Sequence, residues 1–488
     1  MTKRCSRLII AVGFLLASPI LLPAASDGGC FGIVVGKDAS VDGHVIMAHN
    51  EDDSPPQIVN HYKVPRVTHH PGEKVKLLGG GELDQVELTW SYIWSEMPEM
   101  TFSDSYLNEW GVCVASDACR SREDNPDITD GGISCMLRRL VAERAKTARE
   151  GVLIAGRLVE QFGYDGSGRT YSICDPDEGW LFCAVNGKHW LAKRVPDNEV
   201  AIIANTYTVH DVDLSDNRNF LASRGIIEYA ISRGWYDPEN DGPFDFAAAY
   251  ANPRVASDSS NICRQWGGLR HVSSEPIPLN MKLPFSVIPK RKLDVTAVMK
   301  ILRDHYEDTE LFDSSAESGN PHEAGVRTIC ALSTQTSFVA QLRKNMPLDI
   351  GIVYWVCLST PCTSCFIPFH FGIAEFPSGF SSTGGSPSDE LYAMKIESPF
   401  EVDTLGAFWT FKNFQQKIGL AYGAKIANVK SVMAIIEQDA MKNQDQVEEN
   451  ALKLYTTDRA AASEMLFDYS NGIYLSAMEA MKEVLSGK

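Results

Sequence analysis

Residues 30–52 read CFGIVVGKDASVDGHVIMAHNED. Two apolar runs rich in β-branched residues, 31–35 and 44–48, predict two short strands. Between them, residues 39–43 (ASVDG) have the composition of a turn. The stretch therefore predicts a β-hairpin that begins directly after Cys30.

The residues before this hairpin have the composition of an export signal. Three basic residues lie within the first seven positions, residues 8–22 form an almost uninterrupted apolar run, and small residues follow at 24–26. An N-terminal membrane anchor is the alternative, but a run of 15 residues is short for a bilayer span of ~20 residues. We therefore expect a signal peptide at 1–26, a secreted or periplasmic protein, and no membrane attachment after the signal is removed.

The chain beyond the hairpin mixes the patterns of strands and helices. A helix is predicted after Ser134 as its N-terminal cap, and another at 152–162 before Gly163. Cys174 and Cys183 flank a turn and are expected to face each other across a hairpin. Further strands are predicted at 86–94, 112–116, 170–173, 180–185 and 200–205.

The order of these elements favours an α+β body with a helical end. Residues 372–392 are rich in Gly, Ser and Pro and predict an exposed loop. From about 404 to the end the apolar spacing is helical. We therefore expect a catalytic domain at 30–403 and a helical C-terminal segment at 404–488.

Composition and missing motifs exclude several classes of function. A formal net charge of -18 argues against a nucleic-acid partner, because no basic patch would neutralise phosphates. No HExxH, GxSxG or GxxxxGK[ST] motif is present. Cys362 and Cys365 form a lone CxxC pair, which we interpret as structural because a zinc site needs a second pair or histidines at ligand spacing. We expect no metal and no organic cofactor, and a homo-oligomer remains open.

The stretch 30–52 resembles the opening of the dipeptidase A family, N-terminal-nucleophile (Ntn) cysteine hydrolases related to secernins and to choloylglycine hydrolase and penicillin V acylase. The shared features are a cysteine close to the leader, a hairpin turn and a carboxylate cluster. The resemblance extends to residues 108–112, 190–197 and 337–343. It implies a four-layer αββα fold and hydrolysis of short peptides, mainly dipeptides, with Cys30 as the nucleophile.

The resemblance also implies roles for other residues, each weighed against a structural reading. Asp52 would orient the cysteine and its amine, or be a solvated turn acid. Asn205 would donate to the oxyanion, or be an ordinary residue at a strand end. Arg264 would be the site arginine, or a surface arginine. His49 stands where many relatives carry arginine, and we expect it and Glu51 to bind the substrate.

The second oxyanion donor of the related acylases has no clear counterpart. The aligned stretch, 116–118, reads Ser-Asp-Ala, which leaves a backbone N–H as the alternative donor.

The chemistry of an N-terminal cysteine explains why cleavage before Cys30 is required. A free α-amine titrates near ~7.7–8.0, so it can accept the thiol proton and later protonate the leaving nitrogen. Signal peptidase would leave residues 27–29 in place, as a short propeptide that blocks this amine. By resemblance, the second cleavage is autocatalytic.

Two other interpretations stay open at this point. The same fold could hydrolyse an N-acyl amide, as penicillin V acylase and bile salt hydrolase do. A cysteine close after a signal segment could instead be lipidated and anchor a non-catalytic lipoprotein. Against lipidation, Asp27 stands three residues before Cys30, where an apolar residue is expected.

Overall fold

The computed structural model describes residues 29–97, 102–381 and 405–487, with only the backbone at 102–104. The predicted signal peptide at 1–26, propeptide residues 27–28 and the boundary at 403/404 lie outside these ranges. The domain boundaries therefore stay predictions. No helix among the described residues is both long and apolar enough to cross a bilayer.

Most of the described strands lie in the first half of the chain. They are β1 (Phe31–Val35), β2 (Ile46–Asp52), β3 (Asn60–Val64), β4 (Val67–Thr68), β5 (Lys74–Lys76), β6 (Glu82–Asp84), β7 (Leu88–Thr89), β8 (Tyr92–Met97), β9 (Phe102–Asn108), β10 (Cys113–Ala118), β11 (Arg169–Cys174), β12 (Gly179–Ala184), β13 (Trp190–Arg194), β14 (Val200–Ile203), β15 (Phe220–Ala222), β16 (Ser286–Val287), β17 (Thr334–Leu342), β18 (Ile352–Leu358) and β19 (Ile367–His370).

Most of the described helices lie in the second half of the chain. They are α1 (Leu137–Arg144), α2 (Ala148–Phe162), α3 (Ile226–Ser232), α4 (Phe246–Tyr250), α5 (Pro253–Ala256), α6 (Ser259–Val272), α7 (Val295–Leu302), α8 (Leu348–Gly351), α9 (Ala407–Gly419), α10 (Tyr422–Tyr455) and α11 (Arg459–Ser486).

Two large antiparallel sheets form the centre of the molecule. One has the strand order β16-β14-β1-β2-β17-β18-β19, and the other β15-β13-β12-β11-β10-β9-β8-β3. They face each other where β1 contacts β10 and β11. Helices α1 and α2 cover the outer face of the second sheet, and α6, α7, α9 and α11 pack against strands of the first. The predicted four-layer αββα arrangement is confirmed.

The hairpin after Cys30 forms as predicted. All five residues of β1 are buried, which stabilises this strand in the sheet. Burial of one such large apolar side chain contributes ~1.5–3 kcal/mol to folding. The second strand, β2, is longer than the apolar run predicts. It continues through Asn50, Glu51 and Asp52, because β1 and β17 flank it on both sides. The hairpin thus carries a row of polar side chains into the interior.

The C-terminal helices are firmly attached to the first sheet. In α10, Glu437 lies 2.5 Å from Arg303, and Glu448 lies 2.5 Å from Arg343, which follows β17. Helix α11 packs against β19. The predicted helical pattern is confirmed for the described part, 405–487.

Four local predictions are wrong. Ser134 caps no helix: it has φ 38° and lies in a 3₁₀ turn before α1. The strand expected at 86–94 breaks at Trp90, whose N–H donates to the Glu143 carbonyl. The loop expected to be exposed at 372–392 is partly buried in its described part, 372–381, where the ring of Phe380 packs 5.0 Å from that of Tyr474 in α11. Residues 382–392 lie outside the described residues.

The fourth error concerns Cys174 and Cys183. Cys174 lies opposite Gly179 and Cys183 lies opposite Thr170, because the turn between β11 and β12 is tighter than expected. The neighbour of Cys174 on the other side is Cys113 of β10.

Candidate active site

Cys30 lies at the start of β1, in the interior of the first sheet between β14 and β2. Its side chain is 4% exposed, and its Sγ donates to Glu51 Oε1 at 3.3 Å. Burial raises the pKa of the Cys30 thiol to about 12, and the nearby Glu51 carboxylate adds to this. With residue 29 still attached, the sulfur is therefore held as a thiol.

The carbonyl of Gly29, the residue before the cysteine, is held by two guanidinium groups. Arg264 Nη1 donates to it at 3.0 Å and Arg327 Nη2 at 2.7 Å. Arg264 Nη1 also donates to the Cys30 carbonyl at 2.8 Å. Positive charge directed at a carbonyl oxygen stabilises the negative charge that develops there when a nucleophile attacks.

Arg264 lies on α6 and is completely buried, which excludes the reading as a surface arginine. Its Nη2 donates to Asn205 Oδ1 and to Asn261 Oδ1, each at 2.8 Å. Burial lowers the pKa of Arg264 to about 10, and the nearby Arg327 guanidinium contributes to this. The two asparagines thus fix the direction in which the guanidinium points.

Asn205 follows the end of β14 and adopts a left-handed backbone, with φ 57°. Asparagine tolerates this conformation better than most residues. Its Oδ1 accepts from Arg264, and its Nδ2 donates to the Ala118 carbonyl at 3.1 Å. The structure therefore brings Asn205 into the site, while donation to an oxyanion stays a prediction.

Asp52 is a buried residue of β2, which excludes the reading as a solvated turn acid. Its carboxylate accepts from Arg327 Nη2 at 2.8 Å and from Thr334 Oγ1 at 2.6 Å. Burial raises the pKa of Asp52, and the Arg327 charge opposes this rise. Here the carboxylate orients Arg327, and its predicted bond to the cysteine amine stays a prediction.

The alternation of side chains along β2 divides the polar row between two faces. Asn50 and Asp52 point to the helix side, where Asn50 Nδ2 donates to the Leu302 carbonyl at 3.1 Å. His49 and Glu51 point toward the second sheet, and both are buried. Their predicted contact with substrate stays a prediction.

His49 faces Asp117 of β10, with 3.7 Å between Nε2 and Oδ2. Asp117 is fully buried and belongs to the stretch expected to align with the second oxyanion donor. The identity of the second donor stays open, with a backbone N–H as the remaining expectation.

Arg327 is a site residue that no sequence pattern predicted. It lies in the irregular segment between α7 and β17, 275 residues along the chain from Asp52 and 298 from Gly29. No local motif surrounds it, so only the tertiary fold shows that it reaches the site.

The chain is similar in sequence to known peptidases. Residues 29–431 match the model of "Peptidase family C69". A "Probable dipeptidase" of Latilactobacillus sakei is 27% identical over 423 residues, covering 84% of this chain and 85% of the relative. One of Salmonella dublin is 28% identical over 381 residues, covering 75% and 86%.

Among solved structures, penicillin V acylase from Agrobacterium tumefaciens matches with 12% identity and a TM-score of 0.34, over 70% of this chain and 86% of that one. The family model is the stronger finding, since it runs from the residue before Cys30 into α10. The chain therefore belongs to peptidase family C69, and the predicted cysteine-nucleophile peptide hydrolase is confirmed.

Proposed function

We propose that the chain is an exported dipeptidase whose nucleophile, Cys30, becomes the N-terminal residue by autocatalytic cleavage after Gly29. One observation carries this proposal: the Gly29 carbonyl, directly before the cysteine, accepts hydrogen bonds from Arg264 and Arg327. A structural cysteine has no need of two guanidinium groups, one of them fully buried, at the preceding carbonyl.

In the processing reaction the Cys30 sulfur attacks the Gly29 carbonyl carbon. Glu51, 3.3 Å from the sulfur, is placed to accept the thiol proton. The C–N bond breaks, the Cys30 nitrogen takes up a proton and leaves as a free amine, and a thioester remains. Water then hydrolyses the thioester, which releases a leader ending in a Gly29 carboxylate and restores the thiol.

The mature enzyme repeats the same steps on a substrate. The new α-amine, with a pKa near ~7.7–8.0, accepts the proton of the thiol and passes it to the leaving nitrogen of the peptide. Arg264 and Arg327 remain in place, because Asn205, Asn261 and Asp52 hold them. They are then available to the acyl group that replaces Gly29.

Short peptides are the proposed substrates. The relatives from L. sakei and S. dublin are named probable dipeptidases, and the chain matches each of them over most of its length. The carboxylate of Glu51, which lies beside the Cys30 sulfur, also supplies the negative charge that recognition of a free ammonium requires. Export rests on the signal-like composition of residues 1–26.

The proposal is tested by intact mass and activity of the protein purified after expression of the full chain. We expect a mature chain that begins at Cys30 with a free amine, and hydrolysis of dipeptides in preference to tripeptides and N-acyl amides. Cys30→Ala should keep residues 27–29 and have no activity. Cys183→Ala, which alters a buried cysteine in the other sheet, should process and hydrolyse normally.

Three outcomes would contradict the proposal. Activity that survives in Cys30→Ala would exclude the nucleophile. A diacylglyceryl adduct on Cys30 would show a lipoprotein instead. Preference for an N-acyl amide over every dipeptide would keep the fold but change the substrate class.

A further inference from the structure

Four side chains outside the catalytic site bring metal-binding atoms together. His305, His322, Cys330 and Cys362 each offer one nitrogen or sulfur, and these atoms all lie within 4.8 Å of one another. His305 Nε2 is 3.0 Å from His322 Nε2, which is 3.7 Å from Cys362 Sγ. His305 and Cys330 are fully buried and Cys362 is 2% exposed. The peptidase chemistry described above uses none of these four residues.

The hydrogen bonds of the two imidazoles leave both Nε2 atoms facing the cluster. His305 Nδ1 is 3.0 Å from Glu307 Oε1, and His322 Nδ1 is 2.5 Å from Asn320 Oδ1. A carboxylate and an amide oxygen both accept, and the amide orientation is fixed because Asn320 Nδ2 donates to Glu323. Each Nδ1 therefore carries a proton, and the two Nε2 atoms face each other at 3.0 Å, with room for one proton or one metal ion between them.

Two lone pairs at 3.0 Å repel each other unless a positive charge lies between them. The cluster also holds two sulfurs, and the Tyr422 hydroxyl donates to Cys362 Sγ at 3.4 Å. A hydrogen bond of this kind stabilises a thiolate. A metal-bound imidazole usually donates its other ring N–H to a carboxylate or carbonyl oxygen, as both histidines do here through Nδ1.

We propose that His305, His322, Cys330 and Cys362 bind one structural Zn²⁺ in a tetrahedral arrangement. With Zn–N and Zn–S bonds of ~2.0–2.3 Å, ligand atoms of such a site lie roughly 3.3–3.8 Å apart, close to the 3.0 and 3.7 Å found here. Both thiols lose their protons to solvent on binding, so two thiolates balance the charge of the ion. Imidazole and thiolate ligands together select zinc over Mg²⁺ or Ca²⁺.

A cavity lies beside the cluster, and two residues of the cluster belong to the segment that carries Arg327. A cavity of about 500 Å³ is lined by Cys362, Glu307 and the half-exposed Lys430, so it reaches one of the four proposed ligands. His322 and Cys330 lie on either side of Arg327 in the irregular segment before β17. An ion bound by both residues would fix this segment, and with it the guanidinium that reaches Gly29 and Asp52.

The test is metal analysis of the full chain purified under reducing conditions, with the zinc content measured by inductively coupled plasma mass spectrometry. We expect about one zinc ion per chain. Replacement by Co²⁺ should give the intense visible bands of a tetrahedral site and a sulfur-to-cobalt charge-transfer band. Cys30→Ala should bind the same amount, because Cys30, His49 and Glu51 form a separate cluster at the catalytic site.

Variants assign the ligands. Cys330→Ser and His322→Ala should lose the charge-transfer band and most of the zinc. Cys365→Ser is the matched control: Cys365 is also fully buried and is the other half of the CxxC pair, but it lies outside the cluster. It should keep the zinc and the spectrum. A chelator should lower the unfolding temperature of the wild type and of Cys365→Ser, but not that of Cys330→Ser.

Several results would overturn the inference. Wild-type protein that holds no zinc, even after it is refolded with Zn²⁺ under reducing conditions, excludes the site without use of any variant. A disulfide between Cys330 and Cys362 in the exported protein, found by peptide mapping, also excludes it. Full zinc content in Cys330→Ser would show that the ion is bound elsewhere. None of these results bears on the peptidase proposal, which rests on Cys30.

Discussion

Gly29→Ala tests the proposed processing reaction without any change in the mature enzyme. Gly29 has φ 138°, in a region that side-chain-bearing residues rarely adopt. A Cβ at this position would lie 2.5 Å from Asn205 Oδ1 and 3.0 Å from Arg327 Nη1. The added methyl group must therefore displace the carbonyl from the two guanidinium groups.

The size of the effect follows from the energy needed to restore the productive geometry. Forcing a residue with a side chain into such a conformation costs about 1–3 kcal/mol. Because each 1.36 kcal/mol changes a rate tenfold, cleavage should be roughly 5- to 160-fold slower. The assay refolds the chain from residue 27 and follows the loss of residues 27–29 by intact mass over time.

Two controls separate processing from catalysis and from general strain. The mature product of Gly29→Ala has the wild-type sequence, so its kcat and KM on a dipeptide should equal those of the wild type. Gly225→Ala also places alanine at a positive φ, 77°, but a Cβ there meets nothing within 4 Å. It should process normally. Cleavage of Gly29→Ala at the wild-type rate would refute the role assigned to the Gly29 carbonyl.

Three further variants probe the site and its support. Arg327→Met removes one donor to the Gly29 carbonyl, so processing, followed by intact mass, should slow by ~10²–10³-fold. Arg343→Met breaks a buried ion pair away from the site and should leave the processing rate unchanged. Equal processing rates in the two variants would contradict the role assigned to Arg327. Asn205→Gly keeps the left-handed backbone but removes the side chain that accepts from Arg264. The kcat of the mature enzyme should therefore fall by ~10²–10³-fold, and an unchanged kcat would exclude a role of Asn205 in catalysis. Although burial opposes it, hydrogen bonds from His370 and Arg343 lower the pKa of Glu448 to about 2. Its stabilisation should therefore be complete above pH 4.5 and be lost as the pH falls toward 2. The free energy of unfolding of Glu448→Gln should lack this pH dependence. A variant whose free energy of unfolding falls with pH as steeply as that of the wild type would contradict the role of Glu448.

Local sequence was sufficient where one element decides its own structure. The hairpin after Cys30 follows from two apolar runs and a turn, and α2 ends at Gly163 as predicted, with φ 78° at the glycine. The helical spacing after 404 is also local, and the described part forms α9, α10 and α11. In each case the signal lies within a few residues of its consequence.

Local sequence failed where distant contacts decide. Strand β2 continues through Asn50-Glu51-Asp52 because β17 pairs with it, although polar residues interrupt the apolar pattern. Trp90 leaves its strand because its N–H bonds to the end of α1. Arg327 and the cluster around His322 carry no periodicity at all, so their positions follow only from the packed fold.

The positions of the two arginines connect processing with catalysis. The proposed cleavage would remove Gly29 and free the place that its carbonyl holds between Arg264 and Arg327, while Asn205 and Asp52 would still hold the two cations. A substrate carbonyl in that place would meet the same sulfur and the same positive charge. A defect in the cations should therefore slow both reactions, whereas a defect in Gly29 should slow only the first. Arg327→Met can be placed in a chain that begins Met-Cys30, from which methionine aminopeptidase removes the Met, so that no autocatalytic cleavage is needed. This variant should still lower kcat; if kcat stays at the wild-type value, the cations serve processing alone.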